Sequence, residues 1–88
     1  MTQTSIFDKQ PPVNPYRVGS QCFRIYHRLV RYGRVTNREI RYGLGGPEIY
    51  NTTGRASSIR EFLAPHGIKL HCERVRDGLF EYRLGVGN

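Results

Sequence analysis

The stretch IKLHCERVRDGLFEYRL, residues 68–84, decides the fold class of this 88-residue chain. Toward both of its ends every second residue is apolar, which is the pattern of two β-strands that each bury one face. The alternating residues are Ile68, Leu70 and Cys72 on the first arm and Phe80, Tyr82 and Leu84 on the second. The stretch therefore predicts a β-hairpin.

The same alternation predicts the register of the hairpin and the length of its loop. Both apolar sets share one face if the cross-strand pairs are Leu70–Leu84, Cys72–Tyr82 and Arg74–Phe80. This register leaves Arg76-Asp77-Gly78 as a three-residue loop, a type I turn followed by a bulge. The loop needs a left-handed residue at its third position, where Gly78 stands. A two-residue Asp-Gly loop would put the two apolar sets on opposite faces.

Upstream of the hairpin, a first helix is predicted over about residues 20–32. Apolar residues recur at helical spacing from Cys22 to Leu29, with Ser20 as a suitable N-cap and Gly33 as a suitable C-terminal cap. The preceding residues 1–19 hold three of the five prolines and no apolar periodicity. They predict a flexible arm ahead of a domain over residues 20–88.

Two further helices are predicted between the first helix and the hairpin. Thr36 and Glu39 have the spacing of a capping box, so a short helix follows over about residues 37–42. A glycine-rich turn separates it from a third helix, which begins near Gly54 and ends at Pro65 and Gly67. Five apolar side chains are expected to be buried together in the core: Tyr26, Leu29, Ile59, Phe62 and Phe80.

This order of elements resembles a winged helix-turn-helix domain. Three phrases within residues 20–84 carry the resemblance: GRVTNREI (33–40), ASSIREFLAPHGI (56–68) and RVRDGLFEYRL (74–84). They are similar to the small winged-helix proteins of bacteriophages and prophages. The resemblance implies an α+β fold with a three-helix core and a two-stranded hairpin wing. It also implies double-stranded DNA binding by a small transcriptional or replication regulator, with the third helix in the major groove and the wing over the backbone.

The charge of the chain agrees with a nucleic-acid partner. The chain has fourteen basic and seven acidic residues, and twelve of the fourteen basic residues are arginine. The planar fork of donors on arginine matches phosphate oxygens and guanine edges. A solvated basic surface without a partner is the alternative interpretation. Most of the excess lies in residues 17–41, which hold seven arginines and one glutamate.

Seven residues are predicted to contact DNA. On the third helix, arginine suits guanine or phosphate and exposed serine suits either, although Ser58 and Glu61 also have the spacing of a capping box. On the second helix, Arg38 lies beside the free N–H groups of the helix start. On the wing, a basic tip can follow the DNA backbone or enter the minor groove. The predicted DNA-binding residues are Arg38, Arg55, Ser57, Ser58, Arg60, Arg74 and Arg76.

The most basic helix is the first one, and its role is left open by the sequence. Arg24, Arg28 and Arg31 share one face of it. In the usual winged-helix pose this face lies away from DNA, so it could bind phosphate in a different pose, meet an acidic protein or stay solvated. A protein-interaction module built on a winged-helix scaffold is therefore the second functional hypothesis.

Other chemistries find little support in the sequence, so no catalytic residue, metal site or cofactor is predicted. His27, His66 and His71 lack the neighbours of a catalytic triad, and with the two cysteines they lack zinc-ligand spacing. Cys22 and Cys72 are expected to be reduced. No apolar run is long enough to span a membrane and no signal peptide is recognised, so a cytoplasmic location and no membrane partner are expected.

One short phrase in the arm indicates a protein partner. Residues Gln3-Thr4-Ser5-Ile6-Phe7 look like the Gln-x-x-Leu-Phe peptide with which bacterial replication proteins dock on the sliding clamp. An Ile-Phe pair is the apolar anchor that such a peptide needs. Five residues with two loose matches also arise by chance.

Overall fold

Three α-helices and three strands follow one another in the computed structural model, which describes residues 11–86. The helices are α1 (Gln21–Tyr32), α2 (Asn37–Arg41) and α3 (Thr52–Leu63), and a short 3-10 helix follows at Ala64–His66. The strands are β1 (Arg34–Thr36), β2 (Ile68–Arg76) and β3 (Leu79–Val86). The predicted α+β class is confirmed.

The caps predicted for the first two helices are present. The Ser20 hydroxyl accepts a hydrogen bond from the backbone N–H of Phe23, and Gly33 ends α1 with φ +82°. At α2, the Thr36 side chain and Glu39 exchange both bonds of the capping box. The third helix begins two residues earlier than Gly54, because Asn51 adopts the left-handed conformation and its side chain caps the helix by accepting from the Gly54 N–H.

The sheet contains the predicted hairpin and one further strand. Strand order is β1-β3-β2, all antiparallel, and the three predicted cross-strand pairs are observed. At the tip the register shifts between Arg74 and Arg76, so that Arg76 pairs with Leu79 and only Asp77 and Gly78 remain in the turn. The predicted extra residue is thus absorbed as a bulge in β2 rather than in the loop. Gly78 is left-handed, as expected, with φ +75°.

The third strand, β1, is a correction to the predicted two-stranded hairpin. Strand β1 pairs with β3, with Val35 opposite Tyr82, and forms the edge of the sheet on that side. Three residues are too few to show an alternating pattern, and Val35 is the only apolar side chain among them.

The core lies between the sheet and the three helices. Tyr26, Leu29 and Ile59 are fully buried, as predicted. Phe62 is only partly buried and packs against the core from its rim, whereas Phe80 is 37% exposed. The expected burial of Phe80 is wrong because it lies opposite Arg74, in the part of the hairpin that extends beyond the core. The remaining buried hydrophobic residues are Ile25, Val35, Ile40, Ile49, Ala56, Leu63, Ile68, Leu70, Tyr82 and Leu84.

Residues 11–19 have no helix or strand, as predicted for the arm, yet they contact the domain. The Tyr26 hydroxyl donates to the Pro12 carbonyl at 2.6 Å, and the Asn14 side-chain amide donates to the Phe23 carbonyl at 3.1 Å. The Tyr16 ring packs edge-on against Tyr26 and Phe62. This part of the predicted arm is therefore attached to α1 and α3.

Tyr26→Phe tests that attachment. Removal of the hydroxyl leaves the Pro12 carbonyl without its donor, so we expect a loss of about 0.5–1.5 kcal/mol in the free energy of unfolding.

Burial also raises the pKa of Tyr26 to about 12 from its usual 10. The folded state then holds this proton above pH 10 while the unfolded state loses it, so stability falls from pH 10 to 12. Chemical denaturation across this range should show a shallower fall in Tyr26→Phe; an unchanged curve would contradict the assignment.

Candidate nucleic-acid interface

The start of α2 and the turn of the hairpin are joined by one side chain, Asn37. Its amide nitrogen donates to the Gly78 carbonyl at 3.2 Å, and its amide oxygen accepts from the Phe80 N–H at 3.0 Å. Strand β1 makes this possible, because it runs along β3 toward the hairpin turn and delivers α2 beside it. The hairpin tip is thus held at a defined position next to Arg38, the residue that follows Asn37.

Three of the predicted DNA contacts are exposed arginines without an acidic partner. Arg38 lies on α2, Arg60 on α3 and Arg76 at the end of β2. Within residues 11–86, none of the three lies within 4.0 Å of a carboxylate. Arg60 makes one long hydrogen bond, from its Nη2 to the Leu70 carbonyl at 3.4 Å. These guanidinium groups remain available to a polyanion.

The other four predicted contacts differ in their availability. Arg74 is ion-paired with Asp77 across the turn, and both side chains are exposed. Arg55 is half-buried and its Nε donates to the Gln21 side chain at 2.9 Å, which directs it to the start of α1. Ser58 is exposed and Ser57 is half-buried. We therefore expect Arg55 to contribute less to an interface than Arg60.

The outward face of α3 is polar but not basic. Its inward side is defined by Ala56, Ile59 and Leu63, which places Ser57, Ser58 and Glu61 on the opposite side at helical spacing. No ion pair joins Glu61 to a cation among the described residues. A carboxylate repels phosphate but accepts from the amino group of cytosine. This face is thus better suited to base edges than to the backbone.

Three acidic side chains, Glu39, Glu73 and Glu81, neutralise arginines on α1 and the sheet. Arg28 lies 3.9 Å from Glu39, and Arg34 lies 3.8 Å from Glu81. Arg83 pairs with both Glu73 and Glu81 on the outer face of the sheet. Five of the eight arginines that have no carboxylate partner within residues 11–86 lie on α2, α3 and the hairpin: Arg38, Arg41, Arg55, Arg60 and Arg76.

The predicted basic stripe of α1 is largely used inside the molecule. The Arg24 guanidinium donates to the carbonyls of Gly43 and Pro47, the latter at 2.8 Å, and so holds the turn between α2 and α3. Its Nε is buried without a partner in the structure. Arg31 donates from its Nε to the Tyr32 hydroxyl at 3.3 Å, and this bond lowers the pKa of Tyr32. Of the stripe, Arg24 is a structural residue.

Two features of the site were not anticipated from sequence. The sequence predicts Asn37 only as part of a helix start with Thr36 and Arg38, whereas its amide bridges to a hairpin more than forty positions away. The turn held by Arg24 contains left-handed residues at Gly43, Leu44 and Gly45. Its glycine content was the available signal for a tight turn, but nothing in the pattern identified Arg24 as its anchor.

Metal-ligating side chains are not clustered in the described part of the chain. No group of three or more metal-ligating side chains occurs within residues 11–86, where Cys22 and Cys72 are both free thiols. None of the helices described is long and apolar enough to cross a membrane. The sliding-clamp-like phrase Gln3–Phe7 lies outside the described residues.

No family model, curated protein or solved structure matches the chain.

Proposed function

We propose that this chain is a winged-helix domain that binds double-stranded DNA. The order α1-β1-α2-α3-β2-β3 supports it, together with a three-stranded sheet whose hairpin extends beyond the core. In such a domain α3 enters the major groove and the hairpin tip follows the backbone. The resemblance of residues 33–40, 56–68 and 74–84 supports the narrower proposal of a small phage or prophage regulator of transcription or replication.

The observation that carries the proposal is the sorting of the arginines. Arg28, Arg34 and Arg83 are paired with acids and Arg24 is bound to backbone carbonyls, whereas Arg38, Arg60 and Arg76 are exposed and have no carboxylate partner among the described residues. The exposed Arg17, Arg31 and Arg41 also have none there. Arg38, Arg60 and Arg76 come from α2, α3 and the hairpin, the elements that a winged helix presents to DNA. Unpaired guanidinium groups bind phosphate without first breaking an ion pair.

Base reading is assigned to the outward face of α3. Ser57 and Ser58 offer short hydroxyls that donate or accept, and Glu61 offers an acceptor. Arg38 and Arg76, on either side of the Asn37 bridge, are assigned to phosphates. This division separates residues that select a sequence from residues that bind every sequence.

The alternative is a protein-interaction module that uses the α1 face, and fewer unbound arginines remain on that face to support it. Arg24 is bound to the α2–α3 turn and Arg28 to Glu39, which leaves Arg31 with the exposed His27 beside it. A single arginine is a small basis for capturing an acidic partner. We therefore rank this function second.

The test is a fluorescence-anisotropy titration of labelled random-sequence duplex with the full chain, from about 50 to 200 mM salt. Three phosphate contacts predict a slope of about −2.7 in log K against log salt, because each releases about 0.9 counterion. Absence of binding at the lowest salt would contradict DNA binding and favour the interaction module. Binding with a slope near zero would contradict the assignment of Arg38, Arg60 and Arg76 to phosphates.

A further inference from the structure

Strand β2 is an edge strand whose outer edge is open. The order β1-β3-β2 gives it one neighbour, and within residues 11–86 no strand pairs with its other side. It is also the longest strand, with nine residues. An open edge of this length is a template for another strand, and natural proteins usually cover or interrupt one.

The backbone groups on that edge can be identified. The Leu84 N–H donates to the Gly33 carbonyl, on the β1 side of β3, so it points away from β2. In an antiparallel pair, two directly opposite residues either both direct their backbone groups toward each other or both direct them away. Because Leu84 directs its N–H away from β2, the N–H and C=O of its partner Leu70 face the open edge. The Arg60 bond to the Leu70 carbonyl agrees. By alternation, Cys72 and Arg74 face the same edge.

Few of the backbone groups on this edge are hydrogen-bonded within the described residues. Only the 3.4 Å bond from Arg60 occupies an edge carbonyl among the described residues, and Arg60 is exposed. Along the edge lies an open groove lined by Ala64, Gly67, Ile68 and Leu70. The register shift between Arg74 and Arg76 interrupts the strand near the tip, so residues 68–74 form its regular part.

The side chains of this regular part are self-complementary. On the outer face of the sheet, Lys69, His71 and Glu73 follow one another at alternate positions. If a second strand runs antiparallel with its His71 opposite the first His71, each Lys69 lies opposite a Glu73. In this register Leu70 lies opposite Cys72, and these are residues whose backbone groups face the edge. Placing Cys72 on the axis instead would put Lys69 opposite Val75 and Leu70 opposite Arg74.

The axis itself has room for two copies of His71. A Cβ atom at Gly85 would lie 2.6 Å from the Nε2 atom of His71, so the imidazole lies over Gly85 on β3. The ring is thereby directed toward its own sheet and away from the open edge. Two facing copies would not compete for the same volume.

We propose that this chain forms a homodimer through antiparallel pairing of two β2 strands, with His71 on the twofold axis. The two sheets join into one, and the Cys72 N–H of one copy replaces Arg60 as donor to the Leu70 carbonyl of the other. Arg60 is released from the sheet when the pair forms. An interface of one strand pair is small, so the dimer is weak, with a Kd of about 10–100 μM.

A charge-swap experiment tests the register by sedimentation velocity of the full chain from about 5 to 500 μM, without DNA. Lys69→Glu places like charges opposite each other at two symmetry-related positions and should weaken the dimer about tenfold. Glu73→Lys should weaken it at least as much, because it also removes the ion pair between Glu73 and Arg83 of the same copy. The double variant Lys69→Glu, Glu73→Lys restores both cross-strand pairs, so its Kd should return to within about threefold of the unmodified chain. Circular dichroism verifies that each variant is folded.

Cross-linking gives an independent readout of the axis. In a Cys72→Ser background, His71→Cys should form an intermolecular disulfide under mild oxidation, because facing residues at the axis lie within disulfide reach. The native Cys72 should not form such a disulfide, because Cys72 of the second copy lies diagonally across the strand pair, about 7–8 Å away. A monomer at 500 μM, a double variant as weak as the single ones, or a disulfide through native Cys72 would overturn the proposal.

Discussion

Replacement of Ile59 by alanine is expected to lower the free energy of unfolding by about 2–5 kcal/mol. Ile59 is fully buried where α3 faces α1 and the sheet, and its truncation leaves a cavity that the surrounding side chains fill only partly. A domain of this size has a total stability of about 4–13 kcal/mol, so the loss removes a large fraction of it. Urea denaturation followed by circular dichroism measures the change.

Ser58, one position earlier and exposed, is the matched control. Ser58→Ala should leave stability unchanged or raise it by a few tenths of a kcal/mol, because alanine is the better helix former. If Ile59→Ala were as mild as Ser58→Ala, the rotational phase of α3 would be wrong. The assignment of Ser57, Ser58 and Glu61 to an outward face would then fail with it.

Simultaneous replacement of Arg38, Arg60 and Arg76 by glutamine is expected to weaken DNA binding about 150- to 2,000-fold at 100 mM salt. Each removes one charge-assisted contact to phosphate, worth about 1–1.5 kcal/mol once the loss of its hydration is offset. The slope of log K against log salt should move from about −2.7 to near zero. The loss should be similar for every duplex sequence, since phosphate contacts carry no sequence information.

The control variant removes the same net charge from elsewhere. Arg28, Arg34 and Arg83 are ion-paired with Glu39, Glu81 and Glu73. Their replacement by glutamine also lowers the net charge by three but should leave most of the binding intact, because none of them is assigned to the interface. Equal losses in both triple variants would indicate that total charge, rather than its placement, governs binding.

The local part of the fold was predictable from sequence because its determinants lie close together along the chain. The Ser20 cap and the Thr36–Glu39 box involve residues three positions apart, and the alternation of residues 68–84 defined both strands and their register. Strand β1 was not predictable in this way, since it is a strand only by pairing with β3. Phe80 was misassigned because alternation indicates which face a side chain occupies but not where the core ends along the strand.

The candidate site was predictable as a set of residue types but not as an arrangement. Twelve arginines in the sequence gave no means of separating those that hold the fold from those that are free. Arg24 and Arg38 are indistinguishable by composition, yet one anchors a turn and the other faces solvent. The separation depends on carboxylates and carbonyls brought close by folding, over separations of 11 residues for Arg28 and Glu39 and 47 for Arg34 and Glu81.

The Asn37 bridge has a consequence for how the hairpin tip meets any partner that also touches α2. A free hairpin tip loses conformational entropy when it is immobilised, and that loss subtracts from affinity. Here Gly78 and Phe80 are already tied to α2, so much of this ordering has occurred within the unbound protein. The tie also gives the tip little latitude to adjust. Under the proposed function, a rigid tip favours duplexes whose groove width already matches the spacing between α2 and the tip. This would be selection by DNA shape at base pairs that no side chain contacts.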